Sequence, residues 1–230
     1  MNRYLLLLAT ACIVVAVAGS APTQAAPSFR GYTGLIKIPS CDTLNKGWWN
    51  LGVMTENASD FNANDIFVNY GIVDNLEVGF NAFQRAGTSM DRGGPSSGKE
   101  SRQTLINAKY RFLPETESRA GVAFGVTDVT NAIDTTPYGI ISKSLVKGLT
   151  CFDGDILNVR GHIGIGGGQF DGVFVGLSTY VGTRLEAMFE WDSHDPNVGI
   201  RITPLTGLRL HVAWFDVGGR VDVGLGMSYN

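Results

Sequence analysis

The chain has 230 residues, 30 of them glycine and 8 proline, with 44% hydrophobic residues and a formal net charge of −3. Its aliphatic and aromatic content excludes a disordered polymer. The slightly acidic balance gives no footing for a nucleic-acid partner.

Met1-Asn2-Arg3 is a short basic start, Tyr4 to Ala18 is almost wholly apolar, and Gly19 to Ala26 is small and polar. That is the order of a secretory signal peptide. The apolar run, about 15 residues, is shorter than the ~20 that span a bilayer as a helix. Small residues allow cleavage after Ala18, Ala21, Ala25 or Ala26. The expected division is a signal peptide over 1–26, an N-terminal periplasmic segment over 27–47 and a β-barrel over 48–230. No later segment is apolar for anything near 18 residues. A mature chain in a membrane must therefore span it as a closed barrel, which alone besides helices satisfies its backbone in lipid.

Helical spacing of apolar residues is almost absent, and period-2 alternation recurs instead. It predicts strands over 48–56, 64–72, 75–84, 102–112, 119–127, 136–145, 156–166, 172–181, 184–192, 197–203, 208–216 and 220–229. One face is apolar throughout, as in Ile66, Val68 and Tyr70, in Val78 and Phe80, in Val122 and Phe124, and in Val221, Val223 and Leu225. The other face carries charges and small residues. Its charges include Glu77, Lys109, Arg111, Lys143, Arg160, Arg184, Glu186, Glu190, Arg201, Arg209 and Asp222.

Alternation alone does not say which face points outward. A soluble lipocalin-like barrel that binds an apolar ligand would turn the apolar face in, and an outer-membrane barrel turns it out to lipid. Three features favour the membrane arrangement: glycine and paired charges on the polar face, short connections set against a long loop at 85–101, and a final alternating strand ending in Tyr229-Asn230. The fold class expected is all-β, a closed antiparallel up-and-down transmembrane barrel of about twelve strands in the bacterial outer membrane. Trp49, Tyr70, Phe112 and Tyr229 would form one interfacial girdle, and Tyr138, Trp191 and Trp214 the other.

Gly31-Tyr-Thr-Gly-Leu-Ile-Lys-Ile-Pro39, Asp42-Thr-Leu44 and Gly47-Trp-Trp-Asn-Leu-Gly52 resemble the start of YjbH-type proteins. Val68-Asn-Tyr-Gly-Ile72 with Asp74-Asn-Leu-Glu-Val-Gly-Phe80 resembles the first hairpin of that family, and Glu190-Trp-Asp-Ser-His-Asp195 with Asn197-Val-Gly-Ile-Arg201 a later hairpin tip. The resemblance implies an outer-membrane barrel linked to exopolysaccharide production, here as a single short module. It implies outer-membrane lipid, the barrel-assembly machinery, and exopolysaccharide or its secretion proteins as partners.

No catalytic motif, cofactor loop or metal-ligand spacing stands out. Gly164-Ile-Gly-Gly-Gly168 lacks the spacing and the following helix of a phosphate loop. Ser193-His194-Asp195 puts triad residue types side by side, where they cannot face one another as a triad must. His162 and His211 are expected as hydrogen-bonded lumen histidines. Cys41 and Cys151 are either a disulfide pair in an oxidising compartment or two unrelated thiols. The near-balanced lumen charges suggest salt bridges filling the barrel, hence an occluded or narrow lumen and no enzyme.

Overall fold

The computed structural model describes residues 25–57, 61–87, 101–150, 156–219 and 221–230. Of the signal peptide expected over 1–26, residues 1–24 lie outside them. Among the described residues, twelve strands follow one another in chain order: β1 Trp49–Asn57, β2 Phe61–Val73, β3 Leu76–Gly87, β4 Ser101–Leu113, β5 Gly121–Thr127 and β6 Thr136–Thr150. The second half contributes β7 Ile156–Gly166, β8 Gly172–Val181, β9 Leu185–Trp191, β10 Pro196–Leu205, β11 Leu208–Phe215 and β12 Asp222–Tyr229. Each pairs antiparallel with its neighbours, and β12 pairs with β1 from Leu51↔Tyr229 to Asn57↔Val223, closing the barrel. Closure leaves no strand edge with unpaired backbone groups, which lipid would not tolerate.

The strand count fixes two rims. The rim that carries residue 48 and Asn230 has the connections 74–75, 114–120, 151–155, 182–184 and 206–207; we call it the terminal rim. Its tightest turns are two residues long, and both place a residue at positive φ, Asn75 (71°) and Gly207 (84°), as close hairpins require. The opposite rim carries the longest connection, 88–100.

Side-chain direction settles which face meets lipid. Ile66, Val68, Phe80, Phe124, Ile163, Val173, Phe189, Leu210 and Leu225 are exposed on the outside, and Ile165 is 63% exposed. Asn69, Glu77, Lys109, Arg160, Glu190 and Arg201 are buried inside. An exterior of this kind over a polar interior is the arrangement lipid selects. It overturns the soluble alternative, in which the apolar face would line a ligand cavity. The chain is an outer-membrane β-barrel.

Two sequence expectations change. Tyr138 is not a girdle residue: it points inward, 5% exposed, with its ring 6.3 Å from Tyr32 and 6.0 Å from Phe170. Lys143 does not face the lumen. It follows the inward Ser142 on β6, lies opposite the outward Gly161, and caps the 114–120 turn through Thr116 O and Glu117 O at 2.8 and 2.6 Å. Trp49, Tyr70 and Phe112 ring the terminal rim, and Trp191 and Trp214 the opposite one. Tyr229 stacks against Trp49 at 5.9 Å and is buried there.

Candidate functional site

The lumen is not filled by its own charges alone. Residues 25–48 pass into it, reach toward the opposite rim and return to enter β1. Residues 27–47, expected as an N-terminal periplasmic segment, extend through the barrel. Lys37 reaches Asp192 in the opposite-rim turn after β9 at 3.3 Å, and Arg30 reaches Glu56 near the far end of β1 at 3.4 Å. Leu44 and Trp48 are back near the terminal rim, where Gly47 N–H donates to Gly71 O and Gly71 N–H to Trp48 O.

Local sequence explains its shape. Gly31 sits at φ 85° in a tight turn, and the bridges Pro27↔Thr33 and Gly34↔Pro39 fold the segment on itself. Phe29, Tyr32, Leu35, Ile36 and Ile38 are too apolar to remain in water, and all are at most 5% exposed. They meet an inward apolar set that alternation had hidden among the polar positions, including Met54, Phe67, Ile140, Phe174, Met188 and Phe215. Glycines thin the wall at these contacts. A Cβ on Gly199 would stand 2.8 Å from Ile36, one on Gly176 2.7 Å from Ile38, and one on Gly224 2.6 Å from Phe29.

A buried, largely irregular segment must find partners for its backbone outside a regular ladder. The lumen side chains supply them. Glu190 accepts from the N–H groups of Ile36, Lys37 and Ile38 at 2.9, 2.6 and 3.3 Å. Glu77 accepts from Thr33 N–H at 3.2 Å, from Leu44 N–H at 3.0 Å and from the Thr33 hydroxyl. Lys109 donates to Thr33 O at 2.8 Å. Arg201 donates to Pro27 O, Gly34 O and Leu35 O at 2.9, 3.1 and 3.1 Å, and its other arm binds Glu186. Arg160 holds Asp42 at 2.6 Å and Glu115 at 2.9 Å. Asn69 and Asn81 donate to Gly31 O and Arg30 O. The barrel charges are thus anchors for one segment of main chain, a role that spacing in the sequence did not disclose.

The remaining expected lumen charges lie nearer the rims. Arg209 is buried and donates to the Asn230 side chain. Arg111 is half-buried at the terminal rim and donates to Asn75 Oδ1 at 2.8 Å. Arg184 is exposed in the turn before β9, and Asp222 is half-buried at the opposite end of β12. Cys41 carries a free thiol, buried beside Arg160 and 3.6 Å from its Nη2. Cys151 lies outside the described residues.

The two lumen histidines are struts. His162 bridges Ser142 and Ser178 at 2.8 and 3.1 Å, and His211 bridges Arg201 and Ser228 at 3.2 and 2.8 Å. Serines occupy both ring nitrogens of His162, leaving neither for the orienting carboxylate of a triad. Ser193-His194-Asp195 forms a turn in which Asp192 accepts from the N–H groups of His194 and Asp195. Gly164 faces inward and makes room for Phe174, and Gly168 (φ 54°) turns the chain after β7. At the opposite rim Asp128 accepts from the N–H groups of Ala132, Ile133 and Asp134 and from the Thr130 hydroxyl, which organises the 128–135 loop.

A cavity of about 350 Å³ opens at the terminal rim below the segment, with Ala26 in its wall. Lys147, Arg160, Arg184, Arg201 and Arg209 line it, with Glu186 the one carboxylate among the lining residues.

No protein-family model matches the chain, and no curated protein matches it. Among solved structures it is similar to a KdgM porin, with a TM-score of 0.54 at 12% identity over 79% of this chain and 98% of that one. A KdgM porin in complex with disordered oligogalacturonate gives 0.52 at 12% identity, with the same coverage. The shared feature is the porin barrel fold.

Proposed function

We propose that the chain is a self-plugged outer-membrane barrel that supports envelope or exopolysaccharide production or export, with residues 25–48 occluding the lumen. The observation that carries this reading is the anchoring of that segment. Two buried carboxylates, Glu77 and Glu190, and two buried cations, Lys109 and Arg201, are committed to its backbone, a costly arrangement for a filler that never has to be held in one place. The role is non-enzymatic and uses no cofactor. Its partners are outer-membrane lipid, the assembly machinery that inserts barrels, and exopolysaccharide or the proteins that secrete it. The motif resemblance at Gly31–Pro39 and a fold neighbour holding an acidic oligosaccharide both support a saccharide context. With N-terminus and short turns on one side, the terminal rim faces the periplasm.

The test is exopolysaccharide in the medium of cells lacking the protein, cells complemented with it, and cells carrying a barrel without residues 27–44. Loss of the protein lowers release and the full chain restores it. Unchanged release in the null strain would refute the role.

A further inference from the structure

The terminal-rim cavity is not used by the plug reading, and its charge is lopsided. Five cations line it against one carboxylate. Asp42 and Glu115 meet Arg160 from outside the lining, and Glu186, within it, meets Arg201. Arg209 is engaged at Asn230, which leaves Lys147 and Arg184 beyond these pairs, in a chain whose overall charge is −3. Arg201 is also fully engaged with the plug carbonyls and His211, so it forms wall. The outward-reaching cations are Lys147, on the long terminal extension of β6, and Arg184, in the turn between β8 and β9; both are exposed at the mouth. Ser144, Asn158 and Tyr180 add hydrogen-bonding groups to the lining.

A concave site walled by low-dielectric protein and bordered by one sign of charge concentrates ions of the other sign. Guanidinium and ammonium groups match carboxylate and phosphate oxygens in both charge and hydrogen-bond direction. The volume lies at the small-molecule end of ligand sites.

We propose that this cavity binds a small organic oxyanion, a carboxylated saccharide or a phosphate-bearing group, at the terminal rim, with Lys147 and Arg184 as the recognising donors. The site lies below the plug, so its occupancy does not require the lumen to open and does not rest on the saccharide role.

The test uses the full-length protein in detergent micelles, titrated by calorimetry with a uronic-acid trisaccharide, a neutral hexose trisaccharide and inorganic pyrophosphate. At least one anion binds and the neutral sugar does not. Binding weakens by about tenfold or more in Lys147→Glu/Arg184→Glu, and falls with added salt, as exposed charge recognition must. Uronate binding alone identifies the carboxylated saccharide, and pyrophosphate binding the phosphate-bearing group. Lys147→Gln/Arg184→Gln, neutral changes at exposed positions, gives an intermediate loss. The proposal is overturned if neither anion binds better than the neutral sugar, or if the double glutamate variant, migrating as a folded barrel, binds like the parent. Either result leaves the plug untouched, because the plug is read by protease access.

Discussion

Replacing Glu190 by alanine removes one acceptor group from three consecutive plug amides, Ile36, Lys37 and Ile38, held at 2.9, 2.6 and 3.3 Å, and from Asn197 Nδ2 at 3.2 Å. Each buried donor left without a partner costs ~1–3 kcal/mol. The full sum is too large, because the carboxylate's own desolvation cost disappears with it and water can enter the space vacated. A figure of ~3 kcal/mol, at the low end for breaking a buried charged contact, is the sounder one. It corresponds to roughly a hundredfold greater population of plug-released barrel. Trypsin reads that population, since Arg30 and Lys37 are protected inside the lumen and become cleavable only on release. When opening and closing are faster than cleavage, the cleavage rate follows the open population, so Glu190→Ala should be cut about a hundredfold faster. Glu190→Gln keeps one carbonyl oxygen for two of the three amides and should fall between. An alanine variant cut at the parental rate would show that Glu190 does not hold the plug.

Depth in the bilayer gives a second test. Ile66, mid-strand in β2 and 48% exposed to lipid, should lose ~2–4 kcal/mol on change to arginine, while Val122, paired with Leu113 beside the terminal rim, should lose only ~0–1. Folding titrations into lipid vesicles that gave equal costs would contradict the membrane placement. A third concerns acid. Burial opposes ionisation of Asp192, but Lys37, with hydrogen bonds from Asp195, Asn197 and His194, holds its carboxyl below the ordinary 3.8. A depressed folded value means that its anchoring of the plug is fully present above that ordinary value and is lost only as pH falls through the lower folded one. The difference in protease protection of Lys37 between the parent and Asp192→Asn, read with an acid-active protease, should stay constant from neutral pH down to about 4 and then vanish. A difference that vanished between pH 7 and 5 would count against this ion pair.

The barrel was legible because lipid and lumen impose opposite polarity on alternate residues, and Ile66-Phe67-Val68-Asn69 shows that alternation with one exception. The exception is where legibility ended. Phe67, Met54, Phe174 and Phe215 occupy inward positions that a water-filled barrel would leave polar, and their apolar partners lie more than a strand away in Phe29 to Ile38. A local period cannot report a partner so distant. A usable signal was present in Gly176, Gly199 and Gly224, inward positions without side chains on strands otherwise filled, which make room for Ile38, Ile36 and Phe29. Glu77 and Glu190 were legible as inward charges, but not as acceptors for main chain, because a segment without regular periodicity does not advertise which of its amides will be buried. Tyr138 was misdirected for a related reason: an aromatic near a strand end fits a girdle as readily as a lumen until its neighbours Tyr32 and Phe170 are known.

Planar-bilayer conductance bears most directly on the claim that residues 25–48 occlude a membrane barrel. The full-length chain should insert and stay closed apart from rare openings, a barrel lacking residues 27–44 should conduct steadily, and Glu190→Ala should open more often than the parent. Equal steady conductance from the full-length and the shortened barrel would contradict the claim.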